Sequence, residues 1–113
     1  MLPCEVGQPG GTLCAAQILD LSIGGLKFSC SQNTVNYIIP DSERTVGLIM
    51  DVEIDVQFTI PSDNKRASAI KTGARIIHSE RLAQDVFHVG IQFKTLDASA
   101  FRQLEEYINN LDR

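Results

Sequence analysis

Residues 18–28 have the sequence ILDLSIGGLKF, in which two alternating apolar runs flank a short polar turn. The side chains of Asp20 and Ser22 can accept hydrogen bonds from backbone N–H groups two residues further on. Gly24 and Gly25 permit a positive φ, so the stretch predicts a strand, a tight turn and a second strand. The same turn could admit a ligand, because glycines without a Cβ let a flat molecule approach the backbone beside Asp20 and Ser22.

Alternation of apolar and polar residues continues the strand pattern along most of the chain. It is clearest where every second residue from Val52 to Ile60 is apolar and the others are polar, as in a half-buried antiparallel strand. Gly90 interrupts the last run, and a glycine within a strand marks a bulge or the close approach of another group. We predict six strands, over about residues 3–6, 12–20, 25–30, 50–60, 67–78 and 86–93.

The segments between and after these strands have other patterns. Residues 31–45 predict a long excursion with a short helical turn or strand inside it, and its apolar patch at residues 37–39 is either an interface or packing. Residues 61–65 predict a turn, and residues 79–85 a polar connection. Asp97 can cap a helix over about residues 98–110, which should dock on the strands. The apolar positions of this helix are Phe101, Leu104, Ile108 and Leu111.

The composition is that of one ordinary globular domain covering residues 1–113. With 43% hydrophobic and 21% charged residues and no run of about 18 apolar residues, the sequence predicts no insertion into a membrane. The N-terminus lacks a basic region followed by an apolar run, so we predict no secretory signal and a cytoplasmic location. Three cysteines without a Cys-x-x-Cys spacing predict buried, reduced thiols, namely Cys4, Cys14 and Cys30.

Charge and spacing argue against several classes of function. A net charge of −4 with scattered cations disfavours DNA and RNA as partners. His78 and His88, with Glu80 and Asp85 between them, match no tetrahedral metal spacing. Ser22 lacks the first glycine of a G-x-S-x-G nucleophile motif, so we predict neither an enzyme nor a cofactor. The acidic residues of the central strand are either a solvated face or a docking surface for a basic partner: Asp51, Glu53 and Asp55.

Four motifs, in this order, resemble those of the PilZ domain, a small bacterial β-barrel module known for binding cyclic di-GMP. Residues 20–25, DLSIGG, match the family's (D/N)xSxxG motif, and the following leucine is its usual continuation. The other three are the long strand ending at Pro61, the run GARII at residues 73–77 and the run VGIQF at residues 89–93. The C-terminal helical segment completes the resemblance.

The resemblance implies a mainly β fold, a six-stranded antiparallel PilZ-like β-barrel with a C-terminal α-helix. It also implies a cyclic di-GMP receptor in bacterial second-messenger signalling, controlling motility, biofilm or exopolysaccharide through a partner protein or an adjacent domain. Asp20 would accept hydrogen bonds from a guanine edge, and Ser22 would bond a phosphate or a guanine. Gly24 and Gly25 would keep the turn compact.

One motif of the family is absent from this sequence. PilZ domains that bind the dinucleotide carry RxxxR ahead of the first strands, and no two arginines here are four positions apart. Such a pair would precede Met1, so the chain is either part of a longer protein or a variant without this arm. Losing two arginine contacts costs about 3–6 kcal/mol, or about two to four decades in dissociation constant.

Two cations could replace part of that missing charge, Arg75 and Lys27. If they do not, the alternative function is a PilZ-like adaptor that acts through protein contacts and does not bind cyclic di-GMP.

Overall fold

The computed structural model describes residues 2–39, 52–61, 68–94 and 96–111. The strands are β1 Leu2–Gly7, β2 Leu13–Leu21, β3 Gly25–Cys30, β4 Val52–Ile60, β5 Ser68–Ala83 and β6 Val86–Phe93, and the helices are α1 Gln32–Ile38 and α2 Ala98–Leu111. The strands form a closed antiparallel barrel in the order β1-β2-β3-β6-β5-β4, and β4 pairs back with β1. The predicted fold class is therefore confirmed.

The core fills the inside of the barrel. β4 follows the predicted alternation, because every second residue from Val52 to Ile60 is buried. The rings of Phe58 and Phe93 stack across the interior with centroids 6.2 Å apart. Cys4 on β1 lies between Ala16 on β2 and Phe58 on β4, so this short strand closes the barrel. Burial of these apolar faces is the main stabilisation of the fold.

β5 is longer than the sequence pattern indicated. The strand continues to Ala83, and residues 84 and 85 alone form the turn into β6, so the predicted polar connection over residues 79–85 was wrong. Glu80 pairs with His88, and the guanidinium of Arg81 lies 5.8 Å from the ring centroid of Phe87. This end of the β5–β6 hairpin is largely exposed, so its residues lack the apolar alternation that identifies a half-buried strand.

The excursion after β3 begins with a helix. Ser31 caps α1, and its Oγ accepts a hydrogen bond from the Thr34 N–H at 3.3 Å. Val35, Ile38 and Ile39 are buried, and α1 packs near β1 and β6. The apolar patch at residues 37–39 is therefore mostly packing. The rest of the excursion, the predicted turn after residue 61, and the predicted strand starts at residues 50–51 and 67 lie outside the described residues.

The C-terminal helix begins as predicted. The Ala100 N–H donates to Oδ1 of Asp97 at 2.7 Å, and Leu104 is fully buried. Phe101 is 41% exposed, so its predicted place on the buried stripe was wrong. The helix packs on the barrel beside β4. Its contact is narrow and centres on Leu104, with Ile108 half-buried and the side chain of Leu111 outside the described part.

The thiols are free, and two of them belong to the core. Burial raises the pKa of Cys4 to about 12 and that of Cys30 to about 11. Both are therefore neutral thiols at neutral pH. Cys14 is half-buried, so the prediction of buried, reduced cysteines is confirmed for two of the three. Among the described residues, no helix is long and apolar enough to cross a membrane.

Candidate functional site

The turn between β2 and β3 is held by Ser22 and Gly25. The backbone N–H of Ser22 donates to the carbonyl oxygen of Gly25 at 2.9 Å, and the Ser22 hydroxyl donates to the same oxygen at 3.1 Å. The Ser22 side chain thus acts as a donor in this turn, whereas the sequence predicted an acceptor. A hydroxyl that donates once keeps its acceptor lone pairs for another group.

β6 clamps this turn from the other side. The Phe93 N–H donates to the carbonyl oxygen of Gly24 at 2.8 Å. A Cβ on Gly25 would lie 2.0 Å from the carbonyl oxygen of Ile91, so only glycine fits there. Neither turn glycine has a positive φ; among the described glycines that conformation belongs to Gly10, at 74°. Position 25 therefore requires glycine because the β6 backbone approaches it closely, and not because the turn is left-handed.

Two register shifts arrange the outer surface beside this turn. The β2–β3 register shifts between Ile18 and Asp20, and the β5–β6 register shifts between Ile76 and His78. After these shifts one outer row of paired residues crosses four strands, and its members are Asp20, Lys27, Gly90 and His78. The next row toward the turn contains Gly25, Gln92, Arg75 and Glu53.

Five members of these rows, namely Asp20, Lys27, Gly90, Gly25 and Gln92, line a cleft of about 430 Å³. The structure brings five predicted site residues to it, namely Asp20, Ser22, Gly24, Gly25 and Lys27. Asp20 on β2 pairs with Lys27 on β3, and both residues are exposed, so a carboxylate and an ammonium stand side by side on neighbouring strands. The cleft therefore offers an acceptor, a cation, a hydroxyl and bare backbone, a set that suits an anionic ligand with a hydrogen-bonding ring.

Arg75, the sixth candidate, lies beside the cleft and not in its wall. Its Nε and Nη2 donate to Oε1 of Gln92 at 2.9 Å and 2.7 Å. It lines a neighbouring depression of about 380 Å³ with Lys94, whose Nζ lies 2.7 Å from Oε1 of Glu53. Gln92 lines both spaces, so this amide connects the arginine to the cleft.

Besides Gly90, four residues that line the cleft were not among the predicted site residues, namely Leu26, Ile77, Ile91 and Gln92. Ile77 is the unpaired residue at the β5 register shift, and Gln92 lies on β6. Both fall in runs that carry the family resemblance, residues 73–77 and 89–93, but the resemblance gave neither residue a binding role. Gly90 had been singled out for its place within a strand. It lies in the cleft floor, where an added Cβ would meet only ordinary contacts. The signals for this side of the cleft were therefore these two runs and a glycine that the fold does not require.

The described histidines and acidic residues that were considered above as a metal site or a docking surface lie outside the cleft wall. Nε2 of His78 lies 3.8 Å from Oε2 of Glu80, and both side chains are exposed. In the part of the chain that the structure describes, no three His, Cys, Asp or Glu residues are grouped as a metal site requires. Oδ2 of Asp55 accepts the Gly10 N–H at 2.9 Å, while Asp51 lies outside the described residues. Asp55 and Glu53 thus have local structural partners.

Comparisons with known proteins point to one family. The model of the PilZ domain family matches residues 1–110. Among solved structures, the chain is similar to the Borreliella burgdorferi PlzA protein in complex with c-di-GMP, with a TM-score of 0.54 and 12% sequence identity. The match covers 98% of this chain and 46% of that one, so this chain spans less than half of the PlzA chain. No curated protein matches the sequence.

Proposed function

Because this chain belongs to the PilZ domain family, we propose that it is a receptor domain that binds cyclic di-GMP in the cleft beside the β2–β3 turn. The observation that carries the proposal is the meeting of Asp20, Ser22, Gly24, Gly25 and Lys27 in one open cleft. The PlzA complex supports the choice of ligand, since a protein of this fold binds c-di-GMP.

Asp20 supplies the base recognition in this proposal. The Watson–Crick edge of guanine carries two neighbouring N–H donor groups, and a carboxylate can accept from both. Asp20 is exposed on β2 at the cleft. A hydrogen bond to a charged group contributes about 1.5–3 kcal/mol, so loss of this contact weakens binding about 10- to 150-fold.

Lys27 and Arg75 supply the positive charge for the phosphates. Lys27 lines the cleft, and Arg75 reaches it by way of Gln92, which the guanidinium already holds by two N–H groups. An arginine fork can bind a phosphate with two parallel hydrogen bonds. Within residues 1–113 these two cations supply part of the charge that the RxxxR pair supplies in the family, and we expect these 113 residues to bind more weakly than domains that carry the pair.

The binding test is calorimetry of the chain with cyclic di-GMP, with cyclic di-AMP as the comparison ligand. Adenine lacks the N1–H of guanine, so we expect heat with cyclic di-GMP alone. Asp20→Ala should weaken binding about 10- to 150-fold. Glu5→Ala is the matched control, because Glu5 is an exposed strand carboxylate that does not line the cleft. Absence of heat at ligand concentrations well above micromolar would contradict the proposal.

The alternative function, an adaptor that does not bind cyclic di-GMP, is favoured if calorimetry shows no heat of binding. No two arginines within residues 1–113 are four positions apart, and this motivates an adaptor that uses the barrel for contacts with a partner protein or an adjacent domain. For the receptor function we place the domain in bacterial second-messenger signalling, in control of motility, biofilm or exopolysaccharide. If the chain binds cyclic di-GMP and Asp20→Ala abolishes the binding, the alternative of an adaptor that binds no ligand is excluded.

A further inference from the structure

An exposed apolar side chain stands on the far wall of the cleft. Ile77 is 60% exposed, more than any other large hydrophobic residue that the structure describes. The β5 register shift between Ile76 and His78 leaves Ile77 unpaired, and the residue lines the cleft. Exposing this much of an isoleucine to water is unfavourable, so a group that covers it gains free energy.

The floor next to this side chain is bare backbone. Gly90 lies opposite Lys27 on β3 and opposite His78 on β5. A Cβ on Gly90 would lie 3.6 Å from the Cβ of His78 and 3.9 Å from the Cγ1 of Ile77, which are ordinary van der Waals distances. The fold therefore has room for a side chain at this position, and glycine leaves that room open to the cleft.

We propose that Ile77 and Gly90 form a platform that packs against the flat face of a guanine base. Gly90 is two strands from Asp20, about 10 Å at the usual strand spacing. A purine ring together with one hydrogen bond spans this distance, so a base can lie on the platform while its edge points to Asp20. This inference rests on the proposed function and adds the residues that recognise the face of the base.

The platform is tested by variants that change its shape and keep its strands. Ile77→Ala should weaken cyclic di-GMP about tenfold, because it removes apolar contact with the base. Gly90→Ala should weaken it by a similar factor, because the new methyl group occupies the floor. Ile77→Phe should bind at least as tightly as the wild type, since aromatic side chains stack on bases.

Leu82→Ala is the matched control for these variants. Leu82 is 49% exposed on the same strand and does not line the cleft. Unchanged binding by Leu82→Ala together with weaker binding by Ile77→Ala supports the platform. If the wild type binds cyclic di-GMP through Asp20 while Ile77→Ala and Gly90→Ala bind equally well, the platform is wrong and the receptor function stands.

A second readout separates the platform from the receptor function. With 5′-GMP at millimolar concentration, a guanine face over Ile77 should move the NMR signals of its methyl groups upfield, and those of Leu82 should not move. If cyclic di-GMP gives no binding, the receptor proposal fails and this readout decides the platform. An upfield shift at Ile77 then supports it, and an unmoved signal overturns it.

Discussion

Two glycines in the same strand pair have different reasons to be glycine. A Cβ on Gly25 would lie 2.0 Å from a backbone carbonyl oxygen, whereas a Cβ on Gly90 would lie 3.6 Å from its nearest neighbour. Both residues line one cleft. The cleft therefore has a turn side, Ser22, Gly24 and Gly25, which is held against β6, and a platform side, Ile77 and Gly90, which is open. The turn side is fixed by folding, and the platform side has space that the fold does not use.

The largest expected effect is on the turn side. Gly25→Ala should lower the free energy of unfolding by about 3 kcal/mol, because its methyl group meets backbone that must move. Urea unfolding measures this loss. Gly24→Ala is the matched control, since a Cβ there has nothing within 4 Å. Equal unfolding midpoints for the two variants would remove the distinction between clamped and open glycines.

The platform side should show the opposite behaviour. Gly90→Ala should keep the free energy of unfolding within about 0.5 kcal/mol of the wild type, as is usual for a surface change without a clash. The same variant should lose about tenfold in affinity for cyclic di-GMP. Measuring both quantities on one sample separates them. A large loss of stability would mean that the fold, and not a ligand, requires glycine at position 90.

Arg75 tests how far the site extends past Gln92. Arg75→Ala should weaken cyclic di-GMP about three- to fivefold, because an exposed charge contributes at most about 1 kcal/mol. The effect should shrink as salt is added. Arg102→Ala makes the same change of charge on an exposed position of α2 and should leave the affinity unaltered. Equal affinities for the two variants would restrict the site to the cleft itself.

The smallest expected effect concerns the buried thiols, which report on the core below the cleft. The raised pKa values keep Cys4 and Cys30 protonated below about pH 9, and the thiolate is the reactive form. A thiol reagent at pH 8 should therefore label Cys14 first, both in the wild type and in Gly90→Ala. In Gly25→Ala the two core thiols should become reactive. Early labelling of Cys4 in the wild type would contradict a closed core.

Most of the fold could be predicted from patterns in the sequence. The alternation along β4, the turn motif at residues 20–25 and the Asp97 cap each depend on local spacing, and the structure agrees with them. The end of β5 was not predictable in this way, because an exposed hairpin needs no apolar face. The sequence placed Gly25 at the turn for its freedom to adopt a positive φ, whereas its constraint in the structure is a contact with Ile91 on another strand.

The residues of the candidate site also differ in whether local sequence or pairing between strands brings them to the cleft. Residues on the turn side share one motif and were found together, whereas Ile77 reaches the cleft through a one-residue register shift between two strands. A shift of one residue exchanges inward and outward side chains, and only the pairing partner reveals it. Gln92 depends likewise on its contact with Arg75, which pairing across β5 and β6 creates.

The most direct test of a cyclic di-GMP site beside the β2–β3 turn is the map of backbone amide NMR signals during a titration of the ¹⁵N-labelled chain with cyclic di-GMP. We expect the amides of Gly24 and Gly90 to shift together and saturably, because both line the cleft. The amide of Gly10 should stay unchanged, since it lies in the turn at the opposite end of β2. Shifts at Gly10 without shifts at Gly24 and Gly90, or no shifts at all, would contradict a cyclic di-GMP site in this cleft.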